Sequence, residues 1–167
     1  GTPTEAGSFT YIVKTTGTCV QKTQTGTITV KPDPTISTPS NKDQELCINT
    51  SVNSIQFDIT APATGASVTG LPSGMSGTYS NGKFTISGSP TVSGTFEYTV
   101  TTTGSCVQKS QKGIIIVYAK PEVEAIEDVV GCNDFDIDEI NFSGNIDDPN
   151  GYFEWTNDNV SIGLPAS

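Results

Sequence analysis

A segment of thirty residues occurs twice in this chain, and the duplication limits the folds that the chain can adopt. Gly1–Val30 and Gly88–Val117 align without a gap at a shift of 87 positions, and 18 of the 30 residues are identical. A partial third copy begins next, where Pro121, Cys132, Ile140 and Phe142 repeat Pro34, Cys47, Ile55 and Phe57. A period of this length is domain-sized and too long for a solenoid turn, so the chain is predicted to be a row of similar small domains.

The phase of the repeats divides the chain into three parts. Residues 1–31 correspond to the last strands of one repeat, residues 32–118 to a complete repeat, and residues 119–167 to the first part of a following repeat. We therefore expect a section of a longer protein. Pro32-Asp33-Pro34 is expected to be a stiff joint, because each proline fixes φ and the residue before a proline is held extended.

Apolar and polar residues alternate along the complete repeat, which is the period of half-buried strands. The expected strands include Thr35–Thr38, Ile55–Thr60, Ala66–Leu71, Phe84–Ser87, Thr95–Thr102 and Gly113–Val117. The expected core contains Phe57, Phe84, Phe96, Tyr98 and Ile115. Asn81-Gly82 favours a type I′ hairpin, because both residue types tolerate positive φ. About seven short strands in about 87 residues predict an all-β protein of tandem immunoglobulin-like β-sandwich repeats.

In the following repeat, Tyr152–Thr156 is predicted to be a central strand. Trp155 lies within this strand, and we expect it to pack in a core rather than to stack on a sugar.

Charge and residue types exclude several functions. The net charge is −10, and residues 119–167 hold twelve acidic residues and one lysine, which is opposite in sign to a nucleic-acid-binding surface. The chain has no histidine, so a Ser–His or Cys–His nucleophile cannot form within it. No stretch approaches the eighteen apolar residues of a membrane span. We expect no enzyme activity, no firm cofactor site, no nucleic-acid partner and no membrane span.

The acidic third part contains the weak candidates for a calcium site. Asp134, Asp136 and Asp138 alternate with apolar residues, as along a strand edge, and the run lacks the glycine and the bidentate glutamate of an EF-hand loop. Asp147 and Asp148 precede Pro-Asn, which is typical of a turn. We favour solvated strand and turn residues, and Ca²⁺ bound near a domain junction is the alternative.

Three short motifs carry a resemblance to a known kind of protein. Gly70-Leu71-Pro72, Thr85–Pro90 and Gly94–Val100 resemble the signature of immunoglobulin-like repeats in large bacterial surface proteins. Asn150–Ser167 resembles the PKD-like repeats of giant adhesins of gliding bacteria. The resemblance implies a non-catalytic section of a cell-surface adhesin, exported across the outer membrane and used in gliding motility or attachment. The export and motility machinery would then be among its partners, beside neighbouring repeats of the same chain.

The four cysteines occupy two repeating positions. Cys47 and Cys132 precede the second strand, whereas Cys19 and Cys106 follow the penultimate strand. Without histidine or a CxxC motif, disulfides in an oxidising compartment are expected rather than zinc, with buried free thiols as the alternative. Cys47 and Cys106 are the candidate pair within the complete repeat, although these strand ends lie at opposite ends of a simple sandwich.

Two arrangements would resolve this geometric conflict. Residues 35–53 could fold back and carry Cys47 along the sandwich, which we favour, or Cys47 could bond to the hairpin of the following repeat. In both, Cys19 and Cys132 are expected to find partners outside residues 1–167.

Three functional classes remain open. A structural spacer would hold an adhesive tip away from the cell, and its repeats would be near-identical. A module that binds a polysaccharide or a solid surface would expose aromatic side chains at the loops of one repeat. Accessory domains of a secreted enzyme are the third class.

Overall fold

The computed structural model describes residues 1–132, 136 and 138–158. The described residues form eleven β-strands, and no helix among them is long and apolar enough to cross a membrane. The strands are β1 Gly7–Lys14, β2 Thr23–Val30, β3 Gln44–Cys47, β4 Ile55–Asp58, β5 Gly65–Thr69, β6 Met75–Ser80, β7 Lys83–Gly88, β8 Gly94–Thr103, β9 Ser110–Tyr118, β10 Glu122–Val123 and β11 Gly144–Asn145. The predicted all-β class is confirmed.

Strands β3 to β9 form two sheets that pack face to face. One sheet has the order β3-β9-β8-β5 and the other the order β4-β7-β6. Neighbouring strands are antiparallel, except that β3 runs parallel to β9. This order matches the two sheets of an immunoglobulin sandwich, strands C, F and G facing strands B, E and D, with β3 added beside the last strand. The predicted immunoglobulin-like sandwich is confirmed.

The core lies between the inward faces of the two sheets. Its buried members are Val52, Ile55, Phe57, Ile59, Ala63, Phe84, Ile86, Tyr98, Val100, Ile115 and Val117. Phe57 of β4 meets Tyr98 of β8 edge to face, with ring centroids 6.5 Å apart and an interplanar angle of 82°. In antibody domains the corresponding strands B and F are joined by a disulfide. Here an aromatic pair connects the two sheets at the same place.

Four of the five predicted core residues are buried, and Phe96 is the exception. It lies near the start of β8, where it is half-buried and packs against the core cluster. The predicted hairpin at Asn81-Gly82 is confirmed, with φ values of 48° and 76° between the paired residues Ser80 and Lys83.

Two predicted strands are wrong. Residues 35–38 form a single bridge, between Ile36 and Ile59, because the prolines on either side lack an N–H donor. Strand β3, which was not predicted, extends the other sheet, beside β9. Tyr152–Thr156 forms no strand, and Trp155 is half-buried.

The hairpin β1–β2 repeats the structure of β8–β9. Gly7 pairs with Val30 as Gly94 pairs with Val117, so the register is identical after the 87-residue shift. The inward residues differ in exposure, however. Tyr11 is 49% exposed, whereas its counterpart Tyr98 is fully buried. The first hairpin is therefore the same structural unit without a facing sheet.

Candidate functional site

The two ends of the sandwich are the regions that neighbouring repeats would meet. We call the end where the chain enters at Pro34 the entry end; it also contains the loop 59–64 and the β8–β9 turn at 104–109. We call the opposite end, where the chain leaves at Tyr118, the exit end. It contains the loop 48–54 and the turns at 70–74 and 89–93.

At the exit end, Ser73 and Gly74, which directly follow the Gly70-Leu71-Pro72 motif, pack against the end of the Thr85–Pro90 motif. The Ser89 N–H donates to the Gly74 carbonyl at 3.2 Å, and the Thr91 N–H donates to the Ser73 carbonyl at 2.9 Å. Gly74 has a φ of 89°, and a Cβ there would collide with the Ser89 carbonyl oxygen. These motifs therefore have a structural role, since they allow the two turns to approach closely and to form backbone hydrogen bonds.

At the entry end, the incoming segment is attached to the base of the β8–β9 turn. Lys109 Nζ lies 3.2 Å from Asp33 Oδ2. The buried Thr102 Oγ1 accepts the Lys109 N–H at 2.9 Å, and the Thr102 N–H donates to the Lys109 carbonyl at the same distance. Pro34 is fully buried beside this turn. These contacts hold the β8–β9 turn next to the point where the chain enters.

The edge strand β3 is held by polar contacts that the sequence analysis missed. The Tyr98 hydroxyl donates to the Lys42 carbonyl at 2.7 Å, and Asp43 Oδ1 accepts the Ile114 N–H at 2.9 Å. Burial, and then the nearby Asp43 carboxylate, raises the pKa of Tyr98 to about 12. Hydrogen bonds from Lys42 and from the Ile114 N–H lower the pKa of Asp43. The sequence feature that could have indicated β3 is the charged pair Lys42-Asp43, followed by the short alternating stretch Gln44–Cys47.

The structure separates the predicted cysteine pair. Cys47 ends β3 opposite Tyr118 at the exit end, whereas Cys106 lies in the β8–β9 turn at the entry end. Both are exposed free thiols, as are Cys19 and Cys132. Residues 35–53 do not carry Cys47 along the sandwich toward Cys106, because parallel pairing fixes β3 against the last residues of β9. The structure does not bring the favoured pair together, and disulfide formation stays a prediction.

The calcium candidates are not brought together among the described residues. Asp134 lies outside them, and Asp136 and Asp138 belong to no strand. Asp147 precedes a turn in which Asp148 Oδ1 accepts the Asn150 N–H at 2.9 Å, as the turn prediction requires. The described part of the chain contains no group of three or more acidic or cysteine side chains placed to hold a metal ion. Calcium binding stays a prediction.

Comparison with known proteins returned structural likenesses only. The chain matches no family model and no curated protein. Titin domain M7 is 17% identical, with a TM-score of 0.45, covering 54% of this chain and 98% of that one. The titin domains Z1Z2 in complex with telethonin are 14% identical, with a TM-score of 0.46, covering 68% and 62%. The surface-layer protein SbsC, domains 4–9, is 16% identical, with a TM-score of 0.41, covering 76% and 21%.

The strand order, the register and the repeated hairpin together define the class of protein. This chain is a tandem immunoglobulin-like repeat protein with one complete sandwich among its described residues.

Proposed function

We propose that the chain is a non-catalytic section of an exported cell-surface adhesin that acts as a stalk or filament in gliding motility or surface attachment. The observation that carries the proposal is the repetition of the β8–β9 hairpin in one register, beside a complete sandwich whose entry and exit lie at opposite ends. Units of this kind extend a chain in one direction. The joint of a few proline-flanked residues limits bending between neighbours.

The surface of the complete repeat favours the spacer over the binding module. All of residues 32–118 are described, and each of their aromatic side chains is buried or half-buried. The binding-module alternative predicts exposed aromatic side chains at the loops of a repeat. The adhesive ligand would then be bound elsewhere in the protein.

Deletion of the parent gene tests the adhesin role. We expect the deletion strain to lose movement or attachment on glass by microscopy, and antibody to label intact wild-type cells. Unchanged motility and attachment, or exclusively cytoplasmic labelling, would contradict the proposal.

An in-frame deletion of one period separates the spacer from the binding module. Removing residues 31–117 joins Val30 to Tyr118, the counterpart of Lys31, and keeps the strand register. A spacer shortened by one unit should still support attachment, whereas a ligand-binding repeat should not be dispensable. The matched control removes residues 31–74 and breaks the register. We expect that control to lose surface display.

A further inference from the structure

We propose that the exit-end cysteine of each repeat forms a disulfide with the entry-end cysteine of the next repeat, so that the joints of the array are covalently clamped. The proposal rests on the tandem array described under Proposed function. It assigns Cys47 a partner in the following repeat, at the position equivalent to Cys106, and assigns Cys106 a partner in the preceding repeat, at the position equivalent to Cys47.

A bond within one repeat is excluded by the strand register. Cys47 pairs with Tyr118 at the end of β9, and Cys106 comes before Ser110, where β9 begins. At about 3.3 Å per residue, the length of β9 places the two cysteines more than ~25 Å apart along the sheet. Disulfides require Cα atoms within about 7 Å.

Across a joint the corresponding positions are close along the chain. The Ile48 N–H donates to the Tyr118 carbonyl at 2.9 Å, so Cys47 lies beside the residue at which the chain leaves the sandwich. Three residues later Pro121 begins the next repeat as the counterpart of Pro34. Three residues span at most about 11 Å.

The next repeat presents its own hairpin at that point. In the complete repeat, the buried Pro34 of the entering segment lies beside the base of the turn that carries Cys106. Pro121 is the counterpart of Pro34, so the equivalent turn of a following repeat would lie beside Pro121; the counterpart of Asp33 is Lys120, and the ion pair with Lys109 is not repeated. The exit-end thiol of one repeat and the entry-end thiol of the next therefore face the same short joint.

Exposure and periodicity point to the same pairing. All four cysteines are exposed. The exit-end position recurs as Cys47 and Cys132, and the entry-end position recurs as Cys19 and Cys106. The strands that carry the core disulfide in antibody domains contribute Phe57 and Tyr98 here, so the cysteines have no place in the core. Under the proposed pairing, none of the four has its partner within residues 1–167.

The reaction is an ordinary thiol–disulfide exchange. Each thiol loses one proton, the pair loses two electrons, and one S–S bond forms. The electrons reduce a disulfide oxidant, one oxidised glutathione giving two reduced glutathiones in the test below.

A two-repeat chain tests the pairing: residues 32–120 followed directly by residues 34–118, which reproduces the joint Tyr118-Ala119-Lys120-Pro. The complete core lies within each copy, so each copy can fold by itself. After dilute oxidation by glutathione disulfide, we expect non-reducing peptide mapping to link Cys47 of the first copy to Cys106 of the second. The other two thiols should react fully with an alkylating reagent.

The two copies provide matched controls. Cys47→Ser in the first copy should abolish the link, whereas Cys47→Ser in the second copy should leave it unchanged, with equal unfolding midpoints confirming that both variants fold. Four alkylatable thiols, a link within one copy, or links only between separate chains would overturn the proposal. Mapping does not depend on where the parent protein acts, so a negative result here leaves the gene-deletion experiment to decide the adhesin role.

Discussion

At the scale of single residues, burial distinguishes two phenylalanines on inward faces of the two sheets. Phe57 is fully buried against Tyr98, whereas Phe96 is half-buried near the start of β8. We expect Phe57→Ala to lower the free energy of unfolding by about 3–5 kcal/mol, because it leaves a cavity that the sheets cannot fill. Urea unfolding followed by circular dichroism measures the loss.

Phe96→Ala is the matched control for this prediction. Its loss should be clearly smaller than that of Phe57→Ala, since water can occupy part of the space. Equal losses for the two variants would contradict the burial described here. Alternation in the sequence placed both side chains on the inward face. How deeply each side chain is buried depends on packing against residues distant in the sequence, which the local alternation does not contain.

Tyr98 makes stability depend on alkaline pH. Its pKa of about 12 lies above the ordinary value of 10, so the protonated phenol is favoured in the folded state. The resulting stability is complete below pH 10 and is lost as pH rises from 10 to 12. We expect the free energy of unfolding to fall across this window with a slope of at most about 1.4 kcal/mol per pH unit from this group.

Tyr98→Phe provides the comparison, measured by urea unfolding between pH 8 and pH 11.5. The variant loses the hydrogen bond to the Lys42 carbonyl and should be less stable at pH 8. Its stability should then fall less steeply above pH 10 than that of the wild type. If the free energies of unfolding of the two proteins fell in parallel above pH 10, groups other than Tyr98 would cause the loss of stability at alkaline pH.

At the scale of elements, the turn of the β6–β7 hairpin contains a glycine with positive φ. Gly82 has a φ of 76°, and a Cβ there would lie 3.2 Å from the Ile59 carbonyl oxygen. We expect Gly82→Ala to destabilise the sandwich by about 1–2 kcal/mol, because an L-residue in this region is strained. Ser76→Ala, on the exposed face of the same hairpin, should change the urea midpoint little. If Gly82→Ala left the urea midpoint unchanged, the turn would have to relax without cost, which would contradict this prediction.

Elements formed by local chemistry were predictable, and those formed by distant pairing were not. Asn81-Gly82 specifies its turn through the conformations of two residues, and β7, β8 and β9 follow from alternation. Strand β3 is different, since its four residues become a strand only by pairing in parallel with Ile115 and its neighbours about seventy positions later. Tyr152–Thr156 has a strand-like pattern but forms no strand, so local alternation does not by itself determine a strand.

The same distinction applies to the cysteines. Their two repeating positions, and their places at opposite ends of a sandwich, could be read from the sequence. Which cysteine faces which depended on the register of β3 with β9, and that register places Cys47 beside the exit of the chain. The pairing across the joint therefore follows from geometry that no local motif records.

At the scale of the whole molecule, the complete repeat is expected to fold independently of its neighbours. Its two sheets contain β3 to β9 only, while β1–β2 and β10–β11 form separate sheets. We expect residues 32–120 alone to unfold cooperatively in urea, at the same midpoint as this transition in the 167-residue chain. The slope of the transition should match the surface of one sandwich, because m scales with the area exposed on unfolding.

A shorter chain, residues 40–120, is the control for this independence. It keeps all seven strands of the two sheets but loses the buried Pro34, the bridge between Ile36 and Ile59, and the ion pair of Asp33 with Lys109. Its urea midpoint should therefore fall below that of residues 32–120. If residues 32–120 were already less stable than the long chain, the first hairpin would be supporting the sandwich, and the repeats would have to be treated as one cooperative unit. Equal midpoints for the long chain and residues 32–120, with a loss only in residues 40–120, would place the start of the folding unit at the Pro32-Asp33-Pro34 joint, which is where a row of independent sandwiches must be able to divide.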